Sequence, residues 1–174
     1  MDGAILDARV VAHGPFLDNF RMREVTRSAL VARPPERIYA LIDDIDSYPL
    51  FLPWCTGARV ESRTAEEVVA TLSIQRGPLR TEFTTRNRLE PPGRIAMTLE
   101  RGPFRTLEGA WDLQRLGDAG CSVSLTLRFE FSNRVSGALL EPVFGETVAS
   151  LVDAFVARAR EQPVAAPEPP PHGS

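Results

Sequence analysis

The chain has 174 residues, a formal net charge of −3, 43% hydrophobic and 25% charged residues, the balance of one globular domain with a real core. No run approaches the ~18 apolar residues of a membrane span. Residues 1–21 carry Asp2, Asp7 and Asp18 rather than a basic stretch leading into an apolar block, so no secretory leader is read and the expected setting is the cytoplasm.

Three zones separate along the chain. Residues 1–21 show no clean period and are expected to form an extension, unstructured or dispensable, with Met22 an alternative start. Residues 22–160 are periodic and form the expected domain. Residues 161–174 contain Pro163, Pro167, Pro169, Pro170 and Pro171, a density that forbids helix or strand and predicts a solvated tail.

Within the domain, Glu24 to Ala32 reads as a first strand. Pro34 and Pro35 sit where a first helical turn tolerates proline, and Ile38, Leu41 and Ile42 make one face of a short helix. Asp46-Ser47-Tyr48-Pro49 turns the chain into a second short helical or irregular piece that Pro53 halts. From Gly57 the period changes to two. Ala58, Val60 and Ser62 suggest a strand, and Val68, Ala70, Leu72 and Ile74 make a clearer one. After Gly77-Pro78, the residues Leu79, Thr81, Phe83, Thr85 and Asn87 alternate with charged or polar neighbours.

Pro91-Pro92-Gly93 separates that strand from Ile95, Met97 and Leu99. Gly102-Pro103 precedes Leu107, Gly109, Trp111 and Leu113. The cleanest strand carries Cys121, Val123, Leu125, Leu127, Phe129 and Phe131 on one face only, the pattern of antiparallel strands with one wet side. A closing helix from about Ser136 to Arg160 presents Leu140, Phe144, Val148, Leu151 and Phe155 as one stripe. Begun at Ser136, that helix is expected to kink at Pro142. The sum is an α+β domain, with about seven antiparallel strands curved around a long C-terminal helix and space for an apolar cavity between them.

Residues suited to catalysis are scarce. All 20 basic residues are arginine, which excludes Schiff-base and P-loop lysine chemistry. The two histidines, His13 and His172, lie outside the expected domain, so neither a histidine-based triad nor a histidine metal site is anticipated. Cys55 and Cys121 belong to no C-x-x-C pair and read as small buried groups in a reduced compartment. Asp43, Asp44 and Asp46 read as a solvated turn. The expectation is a binding protein rather than an enzyme, with no metal and no catalytic residue.

The segment Tyr48-Pro49-Leu50-Phe51-Leu52-Pro53-Trp54-Cys55 resembles the signature of the coenzyme Q-binding START-like family, which is polyketide cyclase/dehydrase-like and includes the RatA ribosome-association toxins. Gly102-Pro103-Phe104, Leu107-Glu108-Gly109-Ala110-Trp111, Phe129-Glu130-Phe131 and Leu151 to Ala159 are similar as well. The resemblance spans residues 22–160 and implies the helix-grip (START/Bet v 1-like) fold. It further implies that the chain binds ubiquinone or another polyprenyl quinone as a ligand rather than a cofactor, supporting respiration as a lipid chaperone. The toxin branch implies instead an association with the large ribosomal subunit that blocks subunit joining. Polyketide aromatases share the fold, but fold does not confer their activity.

On this reading the ligand-facing residues are Trp54, Phe83, Thr85, Asn87, Met97, Phe104, Trp111, Leu113, Phe129, Phe144, Val148, Leu151 and Phe155, each also suited to ordinary core packing. Asn87 stands out because a buried amide without a partner costs about 1–3 kcal/mol, and a quinone carbonyl would supply one. Arg76, Arg80, Arg86, Arg88, Arg94, Arg101 and Arg105 outnumber Glu82, Glu90 and Glu100 in one stretch. That excess leaves open an ordinary wet face, transient contact with an anionic membrane surface, or a ribosomal RNA contact. No DNA partner is expected.

Overall fold

The computed structural model describes residues 5–10 and 22–161. In chain order these form β1 (Ile5–Val10), β2 (Arg23–Val31), α1 (Pro35–Asp43), a 3-10 turn (Ile45–Leu50), β3 (Cys55–Arg63), β4 (Glu67–Arg76), β5 (Leu79–Glu90), β6 (Arg94–Arg101), β7 (Phe104–Leu116), β8 (Gly120–Phe131) and α2 (Arg134–Glu161). The strands make one antiparallel sheet in the order β1-β2-β8-β7-β6-β5-β4-β3. This is the helix-grip arrangement, with one strand more than the sequence suggested. The addition is β1, which pairs with β2 and matches Ile5 to Ala29; part of the expected extension therefore belongs to the sheet edge. The expected proline-rich tail lies outside the described residues, except for Glu161 at the end of α2.

Alternation builds the sheet. On β8 the odd-numbered residues from Cys121 to Phe131 are buried, while Ser122, Ser124 and Thr126 are half-buried on the other face. Strong curvature is needed to wrap such a face around a helix, and Gly109 permits it. Gly109 lies between Met97 of β6 and Leu127 of β8, and a Cβ there would collide with the Thr126 carbonyl oxygen. Only glycine allows so close an approach of backbones.

The outer face carries a polar strap across β3 to β6. Thr71 Oγ1 donates to Glu61 at 2.7 Å and shares a 2.6 Å hydrogen bond with the Thr84 hydroxyl. Arg101 Nη2 reaches both Glu61 oxygens at 2.7 Å.

Helix α2 begins at Arg134 rather than Ser136 because Asn133 caps it, accepting the Val135 and Ser136 N–H groups at 2.9 and 3.2 Å. Pro142 lies inside the helix. Its missing N–H leaves the Ala138 carbonyl without a helical donor. The helix does not sit over the middle of the sheet. It packs mainly on β2 and β8 and touches β5 lightly, tied there by Arg27–Asp153 at 2.8 Å and Arg23–Glu141 at 3.5 Å. Its buried residues include Phe144, Val148, Val152, Phe155 and Val156, whereas Leu140 and Leu151 are only partly buried. The inner face of β4, β5 and β6 is left short of cover, and the space collects there.

Candidate functional site

Between that uncovered half of the sheet and α2 lies an apolar cavity of about 80 Å³. Ten of the thirteen anticipated residues line it: Trp54, Phe83, Thr85, Asn87, Met97, Trp111, Phe144, Val148, Leu151 and Phe155. Trp111 is opposite Ile95 on β6 and Leu125 on β8, and its ring meets Phe155 edge to face at 5.3 Å. Trp54 is buried in the wall, and its carbonyl accepts the Gln75 N–H near the end of β4 at 2.9 Å.

Phe104, Leu113 and Phe129 do not line the cavity, which corrects the sequence reading. Phe104 and Phe129 are absorbed into an aromatic cluster with Phe83, Phe131 and Phe144, whose ring centroids lie 4.6 to 6.4 Å apart. That cluster fills one end of the space between sheet and helix. Leu113 has the right parity but lies too far along β7, opposite Val123 and toward the end where Arg115 pairs with Glu36 of α1.

The sequence reading missed Ile45, Tyr48, Ala70, Leu72, Ile74, Leu107, Leu125, Leu127 and Thr147, all of which face the cavity. Strand parity carried a signal for six of them, since each lies on the apolar face of a strand already recognised. Tyr48 gave no such signal, because its motif read as a turn. Its hydroxyl donates to the Ile42 carbonyl, and its ring packs on Phe155 at 5.3 Å.

Polar atoms in this wall are few. Asn87 is 7% exposed, and its Oδ1 has no hydrogen-bond partner among the described residues. A buried acceptor in that state costs free energy that a guest's donor would recover. An amide also offers donors on its other atom, so rotation lets it serve either a hydroxyl or a carbonyl.

Burial keeps the titratable groups of the core in their neutral forms. Burial and nearby Asp43 push the Tyr48 phenol well above its usual range. Burial raises the Cys55 thiol and pushes Cys121 up to about 11, so neither is a thiolate near neutrality. No helix among the described residues is long and apolar enough to cross a membrane.

Comparisons with known proteins agree with this architecture. A profile of the polyketide cyclase / dehydrase and lipid transport family matches residues 31–156. The ribosome association toxin RatA of Pseudomonas aeruginosa is 38% identical over 137 residues, covering 79% of this chain and 95% of that relative. The mitochondrial coenzyme Q-binding protein COQ10 homolog B of Xenopus laevis is 26% identical over 150 residues, covering 83% of this chain and 61% of that protein. The Zhui aromatase/cyclase from a Streptomyces species superposes with a TM-score of 0.72 at 20% identity, over 80% of this chain and 94% of that one, a likeness of fold. The chain belongs to the polyketide cyclase / dehydrase and lipid transport family, in the company of the RatA proteins.

Proposed function

We propose that this domain is a non-catalytic carrier that holds the head group of an isoprenoid quinone between its sheet and α2. The observation carrying the reading is the pairing of an apolar, aromatic-walled cavity with one buried amide oxygen, Asn87 Oδ1, that has no partner among the described residues. A quinone suits both features: its ring stacks against aromatic walls, its carbonyl accepts from an amide, and its reduced form donates to one. The kinship with a coenzyme Q-binding protein supports the same ligand class.

The cavity of about 80 Å³ is smaller than the roughly 150 Å³ space that holds benzene in other proteins. Loading therefore requires α2 to move away from β4–β6, the side on which it is least attached. The test is titration with decylubiquinone, followed by quenching of Trp54 and Trp111 and by native mass spectrometry. Saturable quenching with a one-to-one complex is expected. A protein that stays empty at saturating quinone overturns the reading.

A second reading, association with the ribosome, is favoured by the identity to RatA proteins over nearly their whole length. The outer face of β5 offers a modest basis for it. Arg86 is held between Glu67 and Glu100, but Arg80 and Arg88 are exposed and form no ion pair among the described residues. Overexpression followed by a sucrose gradient tests this reading. Accumulated free subunits with the protein in the large-subunit fraction support it, and an unchanged profile dismisses it.

A further inference from the structure

The inner face of β4 runs Val68, Ala70, Leu72 and Ile74, and the same alternation places Arg76 on that face at the strand's end. Most arginines on the outer face of the sheet answer a carboxylate, as Arg86, Arg94, Arg101 and Arg128 do. Arg76 does not. Its Nη1 reaches the hydroxyl of Thr147 on α2 at 3.5 Å, and no acidic side chain pairs with it among the described residues. Thr147 is 1% exposed and lines the cavity, and its own Oγ1 donates to the Val143 carbonyl.

A second polar group waits nearby. Arg76 pairs with Leu79 and Ile74 with Thr81 across β4 and β5, so Thr81 is the diagonal neighbour of Arg76 on the same face. The Thr81 hydroxyl is buried and has no hydrogen-bond partner among the described residues. A guanidinium without an acidic partner and an unsatisfied hydroxyl thus occupy neighbouring positions next to Ile74 and Thr147, which line the apolar space, although neither Arg76 nor Thr81 lines it. Their chemistry suits a carboxylate or phosphate, to which a guanidinium forms charge-assisted hydrogen bonds.

From Asn87, opposite Val68, to Arg76 is eight residue steps of β4, roughly 26 Å at about 3.3 Å per residue. Between these polar ends the inner face is Ala70, Leu72 and Ile74. We infer that Arg76, with Thr81 and Thr147, is an anion-binding mouth, and that the cavity takes single-chain amphiphiles with an anionic head at this rim and the chain along β4. This rests on the reading of the cavity as a ligand site, and it adds a ligand class that a neutral quinone does not represent.

The test compares decanoate, decyl phosphate and 1-decanol by quenching of Trp54 and Trp111 at neutral pH. The wild-type protein should bind decanoate or decyl phosphate at least tenfold more tightly than decanol, and the stronger of the two anions names the head group. In Arg76→Gln the ratio of anion to alcohol should fall to near one, and Arg76→Lys should keep part of it. Equal binding of anion and alcohol by the wild type overturns the inference, as does an undiminished ratio in Arg76→Gln. Decylubiquinone in parallel separates the two claims: anion preference without quinone binding leaves the mouth standing and removes the quinone, while the reverse removes the mouth. An absence of binding by any of these probes removes both.

Discussion

Trp111 and Phe155 meet edge to face, their ring centroids 5.3 Å apart and their planes 82° from each other. This contact joins the middle of β7 to the last third of α2, directly against the cavity. Both residues are at most 3% exposed, so the pair belongs to the core and to the cavity wall at once. Trp111→Ala should cost about 3–5 kcal/mol of stability, the usual range for removing a large buried aromatic. Urea denaturation measures it. The same variant should bind decylubiquinone more weakly, because an aromatic face of the cavity wall is gone. Stability lost with full quinone affinity retained would confine Trp111 to the core.

Asn87 makes the opposite expectation. Its Oδ1 is buried without a partner among the described residues, on an inner face it shares with Phe83 and Thr85. Asn87→Leu keeps the branched shape and removes a stranded acceptor, so the variant should be as stable as the parent or more stable by up to about 1–3 kcal/mol. Quinone affinity should fall in the same protein, giving a stability gain coupled to a binding loss. A variant destabilised by more than about 1 kcal/mol would mean the amide is already satisfied inside the fold.

The contrast between these residues explains what the amino-acid pattern made visible. Period-two alternation placed Phe83, Thr85, Asn87, Met97 and Trp111 on one face, and all five face the cavity. The same rule extended two residues beyond Ile74 would have put Arg76 inside, yet its charge led to its being grouped with the outward arginines. Phe129 obeyed parity and still fell outside the cavity, because parity gives the face of a strand and not the position along it, whereas Phe104 is buried against the alternation of β7 through the register shift between it and Thr106. The lean of α2 was invisible for a different reason. It depends on contacts such as Arg27–Asp153, separated by 126 residues, and no local period encodes a long-range ion pair. Residues 5–10 escaped because a short edge strand paired on one side needs little alternation.

The polar strap on the outer face carries a pH signature. Hydrogen bonds from Arg101 and then Thr71 lower the Glu61 carboxyl from an ordinary 4.5 to about 2. A folded value below the unfolded one means that its contribution to stability is complete above 4.5 and is lost as pH falls toward 2. Glu61→Gln should therefore be less stable than the parent by a constant amount near neutrality, and the two should converge in acid. Urea midpoints for both proteins along a pH series measure this. A gap that does not change with pH would mean that the Arg101 contact adds nothing beyond what the amide keeps.

The proposed loading of the cavity depends on how firmly α2 is held on its attached side. Arg27 Nη2 meets Asp153 Oδ2 at 2.8 Å, with the Arg27 side chain 17% exposed, so the pair is shielded from solvent on the arginine side. Asp153→Ala leaves that guanidinium without its carboxylate and should lower the free energy of lifting α2 by about 1 kcal/mol. At that size the open population rises about fivefold. Hydrogen exchange should quicken by that factor along the second half of α2 while β7 and β8 keep their protection, and decylubiquinone should associate faster in stopped-flow quenching. Because the ion pair spans α2 and β2, a faster exchange confined to β2 would place the weak point at the sheet edge. An unchanged association rate despite a loosened helix would mean that guests enter without α2 moving, through the rim at the end of β4.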